Sequence, residues 1–131
     1  QELWAATPFI VAGTAGLRLL PISQRDEILD ACEDFLRAHS PFQIRRENLR
    51  VISGAEEGIF GWVSVNYLAG RLPGMRNAHA GFLSTLEMGG ASAQVTFPLS
   101  SPSPPPHLPP FHSLRVGSDR IQLYSHSYLG L

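Results

Sequence analysis

Residues 49–73, LRVISGAEEGIFGWVSVNYLAGRLP, leave few ways to fold. Leu49, Val51 and Ile52 place β-branched residues ahead of Gly54, which predicts a short strand stopping there. A helix is expected at about 56–69, ended by Gly70 with Pro73 beyond it. The helix would open on two adjacent carboxylates, Glu56 and Glu57. Trp62 and Tyr67 would lie on its body as packing residues.

The flanking sequence repeats this alternation. Residues 8–13 (PFIVAG) read as an apolar strand running into a Gly turn. Pro21 breaks the segment after Leu17–Leu20, and Ser23 reads as an N-cap. Ile28, Leu29, Cys32, Phe35 and Leu36 then form one apolar stripe, predicting a helix at 24–38 with Cys32 buried in it. Downstream, Phe82–Met88 and Ala93–Phe97 read as strands joined by a Gly89-Gly90 turn. Ser113–Val116 and Ile121–Ser125 read as a hairpin around residues 117–119. Between them, residues 98–110 (PLSSPSPPPHLPP) are proline-rich and suit an exposed loop, or less readily a ligand for proline-binding modules. Strand, helix, strand, helix and then several strands define a mixed α/β class.

Composition removes several functions. Net charge is −1 over 131 residues and no basic stripe stands out, so nucleic acid has no electrostatic footing. The apolar runs are too short to span a bilayer, and no signal-peptide pattern opens the chain. A single cysteine excludes an internal disulfide. The five histidines (His39, His79, His107, His112 and His126) lack zinc spacing. Ser92 lacks the G-x-S-x-G setting of a serine hydrolase.

Three segments can carry chemistry. Gly13-Thr14-Ala15-Gly16-Leu17-Arg18 places small residues, a hydroxyl and a guanidinium after a strand, which suits an anion or a water but equally an ordinary turn. Glu56-Glu57 at a strand–helix junction suits a general base, or simply the stabilisation of acids in a first helical turn. Glu87-Met88-Gly89-Gly90-Ala91-Ser92-Ala93-Gln94 suits a phosphate loop with a carboxylate for a hard cation, or a plain hairpin.

Taken in order, GTAGLRLL, ISGAEEGIFGWVSVNYLAG and LEMGGASAQVTF closely resemble the second, third and fourth signature segments of the apyrase family. That family comprises the ecto-nucleoside triphosphate diphosphohydrolases and the Golgi nucleoside diphosphatases. Residues 124–130 (YSHSYLG) resemble a Tyr-x-His-Ser stretch found further on in the same family. The resemblance implies an actin-like, ribonuclease-H-like fold of two lobes with nucleotide in the cleft. Residues 1–52 would be part of the first lobe and 53–131 the start of the second. It implies hydrolysis of nucleoside di- or triphosphates by in-line attack of water, without a covalent intermediate. Glu57 matches the catalytic base, and Thr14 and Ala15 match positions that help hold the water. Gly89, Gly90, Ala91 and Ser92 match a phosphate-binding loop. Gln94 and Glu87 match positions near the metal, Ca²⁺ or Mg²⁺, and the water. Arg18 matches the arginine of the second segment, a phosphate contact. Membrane anchoring outside this segment, facing the secretory lumen or the cell exterior, is also implied.

Two residues depart from the family pattern. Glu87 stands where Asp is usual, and Ala93 where Thr is common. Glu87 leaves open a degenerate, binding-only relative. Another actin-like phosphatase, acting on polyphosphate, is a further alternative. The ends, Gln1 and Leu131, read as cut from a longer chain. The family's first and fifth segments are not among these residues. We therefore expect residues 1–131 expressed alone to release no phosphate from nucleotides; metal-dependent turnover by that piece would contradict this.

Overall fold

The computed structural model describes residues 2–100 and 111–130. Most of the proline-rich tract thus lies outside the described residues. The chain divides into two compact units, residues 1–53 and 54–131.

The first unit is a β-α-β arrangement. Helix α1 (Glu2–Ala6) precedes strand β1 (Val11–Gly13), a short helix α2 (Ala15–Arg18), the long helix α3 (Ile22–His39) and strand β2 (Leu49–Val51). β1 and β2 pair in parallel, Val11 opposite Leu49 and Gly13 opposite Val51. Parallel neighbours need a long crossover, which α3 supplies. The expected strand at 8–13 is shorter: Pro8 makes only an isolated bridge to Gln43. Helix α3 begins earlier than expected, and its N-cap is Pro21, not Ser23, with no side-chain cap bond. Pro21 has φ −53°, close to a helical value, and its carbonyl accepts from Arg25 N–H at 3.0 Å, so the helix starts before Ser23 is reached. Leu29 and Leu49 are buried, whereas Cys32 is only half-buried, beside a concavity of ≈ 430 Å³ that Phe9, Val11, Ile28 and Phe35 help to line.

The second unit packs helix α4 (Gly54–Leu68) on a four-stranded antiparallel sheet. Its strands are β3 (Thr85–Met88), β4 (Ser92–Pro98), β5 (Phe111–Val116) and β6 (Asp119–Leu129), in the order β3-β4-β6-β5. β6 outruns the expected Ile121–Ser125 because it serves two neighbours, β5 at its start and β4 along its second half. In the β5–β6 hairpin Gly117 takes φ +60° at the first loop position, as a type II′ turn requires.

Helix α4 ends as its sequence predicts. Gly70 adopts φ +69°, Arg71 N–H donates to Asn66 C=O at 2.8 Å, and Gly70 N–H to Tyr67 C=O at 2.9 Å, a Schellman motif. Gly58, Trp62 and Asn66, spaced by four, are buried along one face. Trp62 packs with Leu72, Ile121 and Leu123, and against Phe82 at 5.2 Å between ring centroids. Tyr67, expected to pack, is 60% exposed because it falls off that face.

The strand expected at 82–88 forms only from Thr85. Buried Asn66 intercepts the backbone before it: its Oδ1 accepts from Leu83 N–H at 2.8 Å and its Nδ2 donates to Leu83 C=O at 3.2 Å. With both groups satisfied by one side chain, Leu83 needs no ladder partner.

Candidate active site

The sheet face under α4 changes character along its length. Toward the C-terminal end of the helix it is apolar, with Ile121 and Leu123 in the core. Toward the N-terminal end it is polar: Ser92, Gln94, Thr96 and Ser125 are all buried. Alternation along β4 brings S-x-Q-x-T to one face, and cross-strand register sets Glu87, Gln94 and Ser127 in one row.

Gly58 makes this packing possible. A Cβ there would lie 2.6 Å from both Ser125 Oγ and Thr96 Oγ1, and 3.3 Å from Gln94 Cβ. The bare glycine lets the first turn of α4 settle onto the hydroxyl pair. Ser125 Oγ donates to Ala55 C=O at 3.0 Å, so in the 2.8 Å contact between the hydroxyls Thr96 is the donor. The helix start is thus tied to β6 through Ala55, two residues before Glu57.

The carboxylate of Glu57 is reached from the sheet by Gln94, which is 1% exposed. Gln94 Nε2 lies 3.2 Å from Glu57 Oε2, 2.7 Å from Ser92 Oγ and 3.1 Å from Ser127 Oγ. An amide nitrogen carries two hydrogens, so three acceptors share them. Ser92 closes the Gly89–Ala91 loop. In that loop Gly89 N–H is used by Ser92 C=O at 2.9 Å, and Ala91 C=O accepts from Gly130 N–H at 2.9 Å. Neither Gly89 nor Gly90 has positive φ, so backbone sign does not demand glycine at either position. A Cβ on Gly90 would meet nothing within 4 Å: the loop presents bare backbone to open space, in a shallow concavity of ≈ 240 Å³. A ligand can come close to such a backbone.

Glu87 is exposed, and its carboxylate lies over the helix one turn beyond Glu57. A Cβ on Gly61 would stand 2.9 Å from Glu87 Oε2. Glu57 and Gly61 are four apart and share a helix face. Glu57 and Glu87 carry carboxylate oxygens and Ser92 a hydroxyl, the oxygen ligands a hard divalent cation prefers, while Gln94 turns its amide nitrogen to Glu57 and Ser92. Among the described residues no group of three or more His, Cys, Asp or Glu forms a self-sufficient metal cage. A cation here would complete its shell with water and substrate oxygens.

The structure therefore gathers Glu57, Glu87, Gln94 and the Gly89–Ser92 loop around the start of α4. Thr14, Ala15 and Arg18 belong to the first unit. There Thr14 is exposed and its carbonyl accepts from Leu17 and Arg18 N–H, at 3.0 and 3.1 Å, while its hydroxyl makes no helix-cap bond. Ala15 is buried, and Arg18 Nη1 donates to Ile52 C=O at 3.0 Å, fastening α2 to the end of β2. Sequence reasoning noted Ser125 and Ser127 only within the 124–130 resemblance and gave them no role. Their signal was present as S-x-S on a strand opposite S-x-Q-x-T.

A family model described as GDA1/CD39 (nucleoside phosphatase) matches residues 1–131, and the chain belongs to that family. It is 36% identical to ectonucleoside triphosphate diphosphohydrolase 6 of Rattus norvegicus, over 99% of this chain and 28% of that protein. It is 37% identical to the nucleoside diphosphate phosphatase ENTPD5 of Homo sapiens, over 97% of this chain and 29% of that protein. The chain thus spans under a third of the length of these relatives. Among solved structures it resembles a nucleoside triphosphate hydrolase from Neospora caninum, with a TM-score of 0.75 and 26% identity over 95% of this chain and 25% of that one. The mixed α/β, actin-like fold class is that expected from the resemblance.

Proposed function

We propose that the longer protein carrying this chain hydrolyses nucleoside di- and triphosphates, with Glu57 as the base that aligns the attacking water. The observation that carries the proposal is the contact from Gln94 to Glu57, because the same amide also touches Ser92 at the foot of the Gly-Gly loop. Base and phosphate loop are joined through one buried side chain.

Phosphoryl transfer asks a protein mainly for position and charge compensation. Gln94 engages Oε2 of Glu57 and orients the carboxylate, which accepts the proton of a water. As the water oxygen bonds to the terminal phosphorus, the bond from phosphorus to the leaving nucleotide oxygen breaks. Ser92 and the exposed backbone of Gly90 are suited to phosphate oxygens. A divalent cation, Ca²⁺ or Mg²⁺, held by Glu87 directly or through water, would offset phosphate charge. Thr14 and Ala15 are assigned to water holding and Arg18 to phosphate contact, each on the resemblance alone. The division at residue 53 agrees with assigning residues 1–52 and 53–131 to two lobes. Among the described residues no helix is long and apolar enough to cross a membrane. Anchoring elsewhere, facing the secretory lumen or the cell exterior, is part of the same proposal.

The test is phosphate release by the full-length protein across nucleoside di- and triphosphates and inorganic polyphosphate, with and without a chelator of divalent cations. Release from nucleotides, abolished by the chelator and restored by Ca²⁺ or Mg²⁺, is expected. Release from polyphosphate alone would assign a different phosphatase, and nucleotide binding without release a degenerate relative.

A further inference from the structure

Ser127 has no part in the reaction just described, yet its hydroxyl is one of three acceptors around Gln94 Nε2, at 3.1 Å. We propose that Ser127 is a positioning residue, holding the Gln94 amide so that one N–H stays on Glu57. The proposal rests on the reading of Glu57 as the base.

The geometry explains why such a residue is needed. Gln94 sits in the middle strand of the row Glu87–Gln94–Ser127, and its side chain reaches from the sheet to the first turn of α4. A long amide has three rotatable torsions and can turn its carbonyl toward a carboxylate, which repels it. A hydroxyl both accepts and donates and would satisfy either end of the amide, so the Glu57 carboxylate selects the nitrogen end and the hydroxyls fix where that end sits. Ser127 approaches the same nitrogen from the neighbouring strand, opposite Gln94 in register. With Ser92 on its own strand and Ser127 on the neighbouring one, the nitrogen that the carboxylate selects is held from two sides. β6 thus supports Glu57 twice: Ser125 fixes the helix backbone through Ala55, and Ser127 fixes the amide that orients the carboxylate.

The test uses the full-length protein and its phosphate-release kinetics. Ser127→Ala should lower kcat by about tenfold, the worth of one polar contact, and leave KM nearly unchanged. Ser127→Thr, which keeps the hydroxyl, should restore most of the rate. In a Gln94→Met background, which keeps volume and lacks the amide, Ser127→Ala should cost nothing further. Unchanged kcat in Ser127→Ala, or an equal additional loss in the Gln94→Met background, would overturn the proposal. If Gln94→Met does not fold, the contrast between Ala and Thr at position 127 decides it: equal rates would refute a role for the hydroxyl. Glu57→Gln measured beside them separates the two readings. Full activity there removes Glu57 as the base. An inactive Glu57→Gln with a fully active Ser127→Ala removes only the positioning role.

Discussion

Replacing Glu57 by Gln in the full-length protein should lower kcat for phosphate release by about 10²- to 10⁴-fold, the usual contribution of a positioned general base. The substitution is nearly isosteric. The new amide can still present its oxygen to Gln94 Nε2, so the contact that holds the side chain survives. What disappears is the atom proposed to take the proton from water. The loss should therefore fall on kcat, with KM and thermal unfolding little changed. A Glu56→Gln control should retain most of the activity, because the family resemblance assigns the base to Glu57, the acid that Gln94 contacts. Equal losses at both positions would point to general first-turn electrostatics rather than to a base.

Gly58→Ala is expected to destabilise the protein by about 2 kcal/mol and to cut activity as well. Two effects oppose each other. Alanine is the better helix former by about 1 kcal/mol, so an exposed helical position would gain stability. Here the added methyl would stand 2.6 Å from two buried hydroxyls. Overpacking of a tight site costs about 1–3 kcal/mol, and turning either hydroxyl away adds about 1–3 kcal/mol by stranding its partner. Thr96 and Ser125 are wholly buried and bonded to each other, so neither yields easily. Lifting the first turn off the sheet would also draw Glu57 away from Gln94. Denaturant unfolding monitored by tryptophan fluorescence should show the lower midpoint; a midpoint above wild type would mean that the helix start is not seated on the hydroxyl pair.

Much of this arrangement is legible in the sequence, for identifiable reasons. Gly70 followed by Pro73 marks the helix end because only glycine takes the required positive φ without cost. The hairpins are marked by Gly89-Gly90 and Gly117. The end of α4 and the mixed α/β class were expected from local signals and the family resemblance together, whereas α4 starts at Gly54, two residues before the expected position. What escaped depends on tertiary partners. Asn66 looks like any polar helix residue until its side chain replaces a strand partner at Leu83. Ser125 and Ser127 stand in the Tyr-x-His-Ser stretch, but nothing local shows what they touch. The burial of Ser125 under Gly58 and the contact of half-buried Ser127 with Gln94 both depend on residues distant in sequence. Tyr67 and Cys32 were misjudged because an apolar stripe does not say which of its edges the sheet covers. Pro21 displaced Ser23 as a cap because its fixed φ starts the helix before the hydroxyl can act.

As the proposed base, Glu57 would act in bond cleavage and not merely in folding or nucleotide capture. Single-turnover measurement separates these. Full-length wild type and Glu57→Gln, each in excess over a nucleoside triphosphate with divalent cation, are followed for both nucleotide binding and phosphate release. Binding should stay within a few-fold of wild type while release slows by about 10²-fold or more. Release at the wild-type rate once nucleotide is bound would contradict that role.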